Sequence, residues 1–465
     1  MRVVKDRSFY KNIFAIGIPV AMQNFIAYST SMMDTIMLGR ADDTGTLLSA
    51  SSLANQPFFI LNLMTFGLAG AATVLISQYW GKRDMRAIRS VLSVIIKVAF
   101  AVSLAVGLAV LLFPAQIMRI FSNNPQIVAS GVEYLRIIGY AYFLFGITNT
   151  VICSIRGVEL VKISVLVNVT SFAVNVFLNW VLIFGNLGAP ALGIRGAAIA
   201  TLVARTLEFA IITIYLFFVD DRLCIKPHHL LKFDKVLALD LFRHGWPVAL
   251  VELIWALGMS LQAAVLGHVD YAAGDPVAAN SITSIVQQLS TIVIFGVASA
   301  AAVLVGKSIG EGELEEAKLR AHTFEYLSVG IGLLASGVVL LLRNVAVDFY
   351  TVPESTKVLA REMMLVIALV SFFSSLGSIP MVGTLRGAGD TKFTLGVDIG
   401  SLWLVAIPLA FVSAFVFKWP VPLVLFCMKI DEPVKALLCF LRQRGNKWLR
   451  SVTRDFSPEE AETKV

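Results

Sequence analysis

A handful of side chains in this chain could do chemistry, and nearly all of them lie in apolar surroundings. Asp34 is an ionisable group in an otherwise apolar stretch that also carries Pro19, Gln23, Asn24, Ser29, Thr30 and Ser31. Glu252 and Asp398 are the corresponding oddities in the second half of the chain, with Trp255 one helical turn from Glu252. Asn168, Asn175 and Asn179 are spaced seven and four apart, which puts their amides on one face of a helix. A carboxylate beside amide and hydroxyl oxygens suits a hard cation such as sodium, or a proton taken up by the carboxylate itself. Two carboxylates near an indole suit an organic cation. The asparagines also fit simple helix-to-helix hydrogen bonding, and Glu252 and Asp398 also fit pairing with Arg243 or Lys392.

Other chemistries find no footing. The four cysteines, Cys153, Cys224, Cys427 and Cys439, show no CxxC or Cys/His spacing, so neither a disulfide framework nor a metal site is expected. Arg386-Gly387-Ala388-Gly389-Asp390-Thr391 lacks the GxxxxGK[ST] pattern and a preceding strand, which excludes a phosphate loop. No Ser/His/Asp or Cys/His constellation is visible. We expect no enzyme activity and no cofactor, with any work driven by an ion gradient.

The elements that must position these groups are membrane spans. Of 465 residues, 57% are hydrophobic and 15% charged, where a soluble domain averages about 25% charged. Apolar runs fall near residues 12–39, 47–79, 91–113, 133–154, 161–184, 195–219, 244–267, 277–306, 324–342, 358–384, 393–417 and 419–441. Twelve helices of about 20 residues or more make an all-α polytopic membrane protein. Met1–Lys11 is basic and an apolar run follows. Pro19, Gln23 and Asn24 interrupt that run and no small-residue cleavage site follows it, so it reads as a retained first helix.

An even number of spans puts both ends on one side. That side carries about 26 lysines and arginines in its loops and the other about 6, so both ends should be cytoplasmic. The net charge of +7 is spread over short loops, and nucleic acid is not an expected partner. The expected setting is the plasma membrane, or the inner membrane of a bacterium, with the bilayer as partner and a monomer as the working unit.

The two halves resemble each other. Gly17-x-Pro19 recurs 228 positions on as Gly245-x-Pro247, and Phe66-Gly67-x-x-x-Ala71 recurs as Phe295-Gly296-x-x-x-Ala300. Ile155-Arg156-Gly157 recurs as Leu385-Arg386-Gly387, and Asn168 falls opposite Asp398. Asn24 falls opposite Glu252, and Asp34 opposite Gln262. Two six-helix, pseudo-symmetric lobes follow: residues 1–219 and 244–441, joined by a basic linker over 220–243 and followed by a tail over 442–465. Parallel repeats of this kind suggest a carrier opened alternately to each side. The second and eighth spans, of roughly 30 residues, must tilt, bend or project beyond the bilayer.

These motifs, taken in order, resemble the multidrug and toxic compound extrusion (MATE) transporters. The resemblance rests on the paired Gly-x-Pro starts, Asp34-Thr35-x-x-x-Gly39, and Asn175-x-x-x-Asn179 before Ile183-Phe184-Gly185. It continues in Gly193-x-x-Gly196-Ala197-Ala198-x-Ala200-Thr201, the Leu385–Thr391 loop, Asp398 and Trp403-x-x-x-x-Pro408. It implies an antiporter that expels bulky, often cationic compounds by letting in sodium ions or protons. One branch of the family joins an aspartate of helix 1 to residues of helices 5 and 6. Carried over, that ion site is Asp34, Asn175, Asn179 and Thr201, with Asn179 standing where the branch has an aspartate. Gln23, Asn24, Glu252, Trp255 and Asp398 would line the substrate cavity. A lipid-linked oligosaccharide flippase of related architecture is the alternative, and a receptor or scaffold that moves nothing is a second.

Depth follows from a rise of about 1.5 Å per residue. Asp34, Asn175, Asn179 and Thr201 should lie towards the outer side, and Glu252 and Asp398 roughly 8–12 Å from the inner face. Arg205 and Glu208, three apart, can neutralise each other, as can Asp431 and Glu432 with Lys429 and Lys435.

Overall fold

Backbone polar groups have no water to bond to in hydrocarbon, so helix is the economical solution for every apolar run in this sequence. The computed structural model describes residues 3–41, 46–122, 124–231, 234–267, 276–348 and 353–453; the tail beyond 453 lies outside them. Among these residues the first half holds α1 (Arg7–Ala41), α2 (Thr46–Gly81), α3 (Met85–Leu112), α4 (Pro125–Ile155), α5 (Lys162–Phe184) and α6 (Ile194–Val219). The second holds α7 (Lys235–Gly267), α8 (Pro276–Gly310), α9 (Leu314–Asp348), α10 (Glu354–Leu385), α11 (Thr391–Val416) and α12, in two pieces, Val421–Met428 and Asp431–Arg444. Ten helices among the described residues are long and apolar enough to cross a membrane. With α7 and the broken α12 they make the twelve.

Local sequence sets the breaks. Asp84 caps α3 by accepting from the Ala87 amide at 2.9 Å, and Asn124 caps α4 with Pro125 at its first position. The second span bends at Asn55, between Thr46–Ala54 and Gln56–Gly81, with Pro57 just beyond the break. The eighth instead runs 35 residues unbroken, about 52 Å at the helical rise, and so projects. The last span, expected to be continuous, breaks at Lys429 and Ile430. Pro433 explains it: a proline has no N–H and its ring meets the carbonyl four residues back, but it sits comfortably in the first turn of a new helix. α7 starts at Lys235, so the last part of the basic segment before residue 244 is already helical.

The first helix of each half leans its opening turns on the other half. Phe9, Ile13, Ile16 and Val20 of α1 share a core with Ile294, Ala298 and Leu304 of α8 and Phe324 of α9. Leu237 and Leu241 of α7 share one with Ile88 and Val91 of α3 and with Ile212 of α6. The repeated Gly-x-Pro glycines mark both crossings. A Cβ on Gly296 would lie 2.6 Å from the Gly17 carbonyl, and one on Gly245 would lie 2.9 Å from Ala71 Cβ. Near the chain ends, a side chain on Gly81 would strike the Lys307 carbonyl, and one on Gly310 the Gln78 carbonyl. α2 and α8 can therefore cross backbone on backbone.

A strap after α12 locks this side. Gln78 of α2 donates to the Gly387 carbonyl at 3.3 Å and to the Arg450 carbonyl at 3.2 Å, and accepts from the Val452 amide at 2.8 Å. Asp390 holds Arg442 at 2.8 Å and Arg450 at 3.5 Å, and Trp448 is fully buried. Lys307 of α8 pairs with Glu159 at 2.7 Å, and the Val4 amide donates to Thr323 at 3.0 Å. All these bonds lie on the side carrying both chain ends, so the halves are sealed there.

Gln78→Leu keeps the volume and removes three hydrogen bonds across this seal, two of them buried. We expect a cost of about 1–3 kcal/mol, which moves a two-state balance about 5- to 150-fold. Spin labels at Arg86 and Glu315, in a background lacking Cys224, should report a longer-distance population in the variant. An unchanged distance distribution and melting temperature would contradict this role for Gln78.

Candidate functional site

The side chains singled out in the first half converge. Asn179 Nδ2 donates to Asp34 Oδ1 at 2.5 Å and to Asn175 Oδ1 at 3.1 Å, and Asn175 Nδ2 donates to Thr201 Oγ1 at 3.2 Å. Three helices, α1, α5 and α6, are thus joined by one chain of hydrogen bonds. The spacing of four on α5 stacks the two amides one turn apart, and both are fully buried while Asp34 is half-buried. Asn168 shares their face but stays outside the chain, donating to Ser164 of its own helix at 2.7 Å.

The amides serve the carboxylate in its charged form, because an N–H group points at Asp34. Asn179 Oδ1 is buried and meets no donor. Turning that amide over would bring its oxygen towards Asp34 Oδ1 and Asn175 Oδ1, a set of hard oxygens. A protonated Asp34 could donate to the same oxygen. One turn from Thr201, Arg205 grips both oxygens of Glu208 at 2.8 Å and lies over the Phe145 ring at 4.9 Å. That pair is internally neutral, as its spacing suggested.

In the second half the partners differ from those expected. Glu252 and Asp398 do not pair with Arg243 or Lys392. Arg386 Nη1 lies 3.5 Å from Glu252 Oε1, and Lys435 Nζ lies 3.2 Å from Asp398 Oδ1. Lys392 is exposed, whereas Arg386 at the end of α10 is buried and turned inward. The repeat carries the signal that would have found it. Arg156, the first-half counterpart of Arg386, donates to Gln23 of α1 at 2.6 Å. In each half an arginine ending the fourth helix reaches the first helix near the same level.

Gln262, opposite Asp34 in the repeat, has a separate task. It donates to the Met428 carbonyl at 2.7 Å, freed by the break in α12, and accepts from Lys429 at 3.2 Å. Asn24 is half-buried and Trp255 is 40% exposed on α7. An apolar groove of about 420 Å³ between α9, α10 and α12 is lined by Phe373, Leu376, Leu437 and Phe440 and by none of the candidate ion-site or substrate-cavity residues.

Twelve helices in two matched halves, with ionisable groups matched across helices inside the membrane-spanning region, define a polytopic membrane carrier. A family model described as MatE matches residues 19–181 and 247–412, one stretch in each half, and the chain belongs to that family, the MATE transporters. A probable multidrug resistance protein NorM of Thermotoga maritima is 26% identical over 411 residues, 88% of this chain and 86% of that protein. The multidrug resistance protein PmpM of Pseudomonas aeruginosa is 21% identical over 414 residues, covering 88% of this chain and 85% of that one. A MOP superfamily transporter from Pyrococcus furiosus Vc1 shares the fold at a TM-score of 0.85 and 18% identity, over 96% of this chain and 98% of that chain.

The Glu252–Arg386 pair yields a prediction. Arg386→Ala leaves a carboxylate uncompensated and should cost about 3–5 kcal/mol, while replacing both partners by neutral residues costs far less. Melting of the purified protein in detergent should therefore show Glu252→Gln/Arg386→Gln recovering most of the loss seen in Arg386→Ala. A double variant as unstable as the single one would refute the pairing.

Proposed function

We propose that the protein is a secondary active multidrug exporter that exchanges bulky, cationic organic compounds for sodium ions or protons by alternating access. The observation that carries this is the hydrogen-bonded chain from Asp34 through Asn179 and Asn175 to Thr201, which ties three spans to one ionisable group in the membrane-spanning region. A carboxylate there is costly unless it has a task. In this reading Asp34, Asn175, Asn179 and Thr201 bind the coupling ion, and Gln23, Asn24, Glu252, Trp255 and Asp398 border the substrate path. The names of the NorM and PmpM relatives support a drug-like substrate.

The lobes are residues 1–219 and 244–441 in this proposal, with the first turns of α7 belonging to the region between them. Both ends face the cytoplasm of a plasma membrane, the inner membrane in a bacterium, and the protein works as a monomer without a cofactor. The seal formed by Gln78, Gly81, Gly310 and the strap then closes the cytoplasmic side. Release of the ion to the inside requires that seal to part.

The test is transport in liposomes. Load a fluorescent organic cation, impose sodium and proton gradients separately, and compare the parent with Asp34→Asn. The gradient that drives the parent should lose about 5- to 150-fold of its effect in the variant. Thr201→Val removes one part-buried hydrogen bond, about 0.5–1.5 kcal/mol, and should weaken the apparent ion affinity about 2- to 12-fold. Equal gradient-driven movement in parent and Asp34→Asn would end the assignment.

A further inference from the structure

The broken last helix brings a second set of charges together. Lys435 Nζ lies 2.8 Å from Asp431 Oδ2, 3.2 Å from Asp398 Oδ1 and 3.8 Å from Glu432 Oε1. The lysine, Asp398 and Asp431 are each about 95% buried. Asp431 and Glu432 open the second piece of α12, and Asp398 comes across from α11. The break at Lys429 and Ile430, held open by Gln262 bonding to the Met428 carbonyl, lets residues before and after it face the same space.

The charges do not balance. The neighbouring groups are Glu252 and Arg386, already paired with each other, Lys429, which donates to Gln262, and Cys439, one turn beyond Lys435. Four carboxylates, Glu252, Asp398, Asp431 and Glu432, face three cations, Arg386, Lys429 and Lys435. One negative charge is left over in a region where an uncompensated charge is expensive. Each cluster carboxylate also keeps one buried oxygen that no donor reaches: Asp398 Oδ2, Asp431 Oδ1 and Glu432 Oε2. An acceptor left bare by burial costs free energy that a single bound hydrogen would recover.

We propose that this cluster is a proton-binding site of the second half, taking up one proton from solution independently of Asp34. The proton bonds to one of the three bare oxygens and converts one carboxylate to a neutral carboxyl group that can donate to a neighbouring oxygen. Nothing is oxidised or reduced. A metal ion does not suit the place, because the Lys435 ammonium already fills the point on which the three carboxylates converge. Glu432, 18% exposed at its side chain, gives the proton a way in. The inference goes beyond ion-coupled export, since the site binds its proton whether or not Asp34 couples to transport.

The experiment is an infrared difference spectrum of the purified protein stepped from alkaline to acid conditions, with potentiometric counting of protons, in an Asp34→Asn background that silences the first half. We expect a protonated-carboxyl signal worth one proton per chain. Glu432→Gln removes the surplus charge and should abolish it, and Asp398→Asn should do the same if Glu432→Gln fails to fold. Lys435→Met removes a cation and should add one proton. Sodium added at fixed pH should leave the signal unchanged.

A fully ionised structural network would show no signal in Asp34→Asn and no gain in Lys435→Met, and either result overturns the proposal. Displacement of the proton by sodium also overturns it. The transport assay of Asp34→Asn reads the first-half site alone, so failure of one proposal leaves the other standing.

Discussion

A charged or strongly polar side chain placed in hydrocarbon has to find its partner on another helix, and much of this fold can be read as the consequence. Asp34 is met by Asn179, Glu252 by Arg386, Asp398 by Lys435 and Gln23 by Arg156. Each pair spans two helices, so satisfying the side chains also fixes which spans are neighbours. The hydrophobic effect offers little help here, because lipid is as apolar as the spans themselves. Close packing of small residues supplies the rest, at Gly17 against Gly296 and Gly81 against Gly310.

The two halves use one frame for different work. An arginine at the end of the fourth helix reaches the first helix in both, and a glycine two residues before a proline marks a crossing in both. Where the first half has Asp34, the second has Gln262, and that glutamine stabilises a broken helix. Such a division separates two requirements. In the first half the Asn179 amide can turn over and change what it offers Asp34, whereas in the second half three carboxylates gather round the fixed Lys435 ammonium.

Much of the fold was legible in the sequence. The spans, their even number, the repeat and the four residues joined around Asp34 all follow from apolar length, from motif order and from resemblance to the MATE family. The partners of Glu252 and Asp398 did not. Lys392 and Arg243 are near in sequence or in expected depth, but pairing is decided by helix ends turning inward, and only the Arg156 and Arg386 repeat hinted at that. The break in α12 was signalled by Pro433, and an apolar run of the right length masked it. Lys435 looked like a local partner of Asp431 and Glu432, which it is, but its reach to Asp398 depends on how α11 and α12 pack. The strap of residues 445–453 is too short and polar to register in hydropathy, and what holds it is backbone bound by Gln78, Arg450 against Asp390 and the single buried Trp448.

The central claim is that the Asp34 chain of side chains holds the coupling ion. The most direct measurement is equilibrium binding of that ion to purified protein, by radiolabelled sodium and by proton counting in parallel, in the parent and in Asp34→Asn. The account predicts that the variant binds one ion fewer, sodium or proton, than the parent. Identical binding of both ions by the two proteins would contradict it.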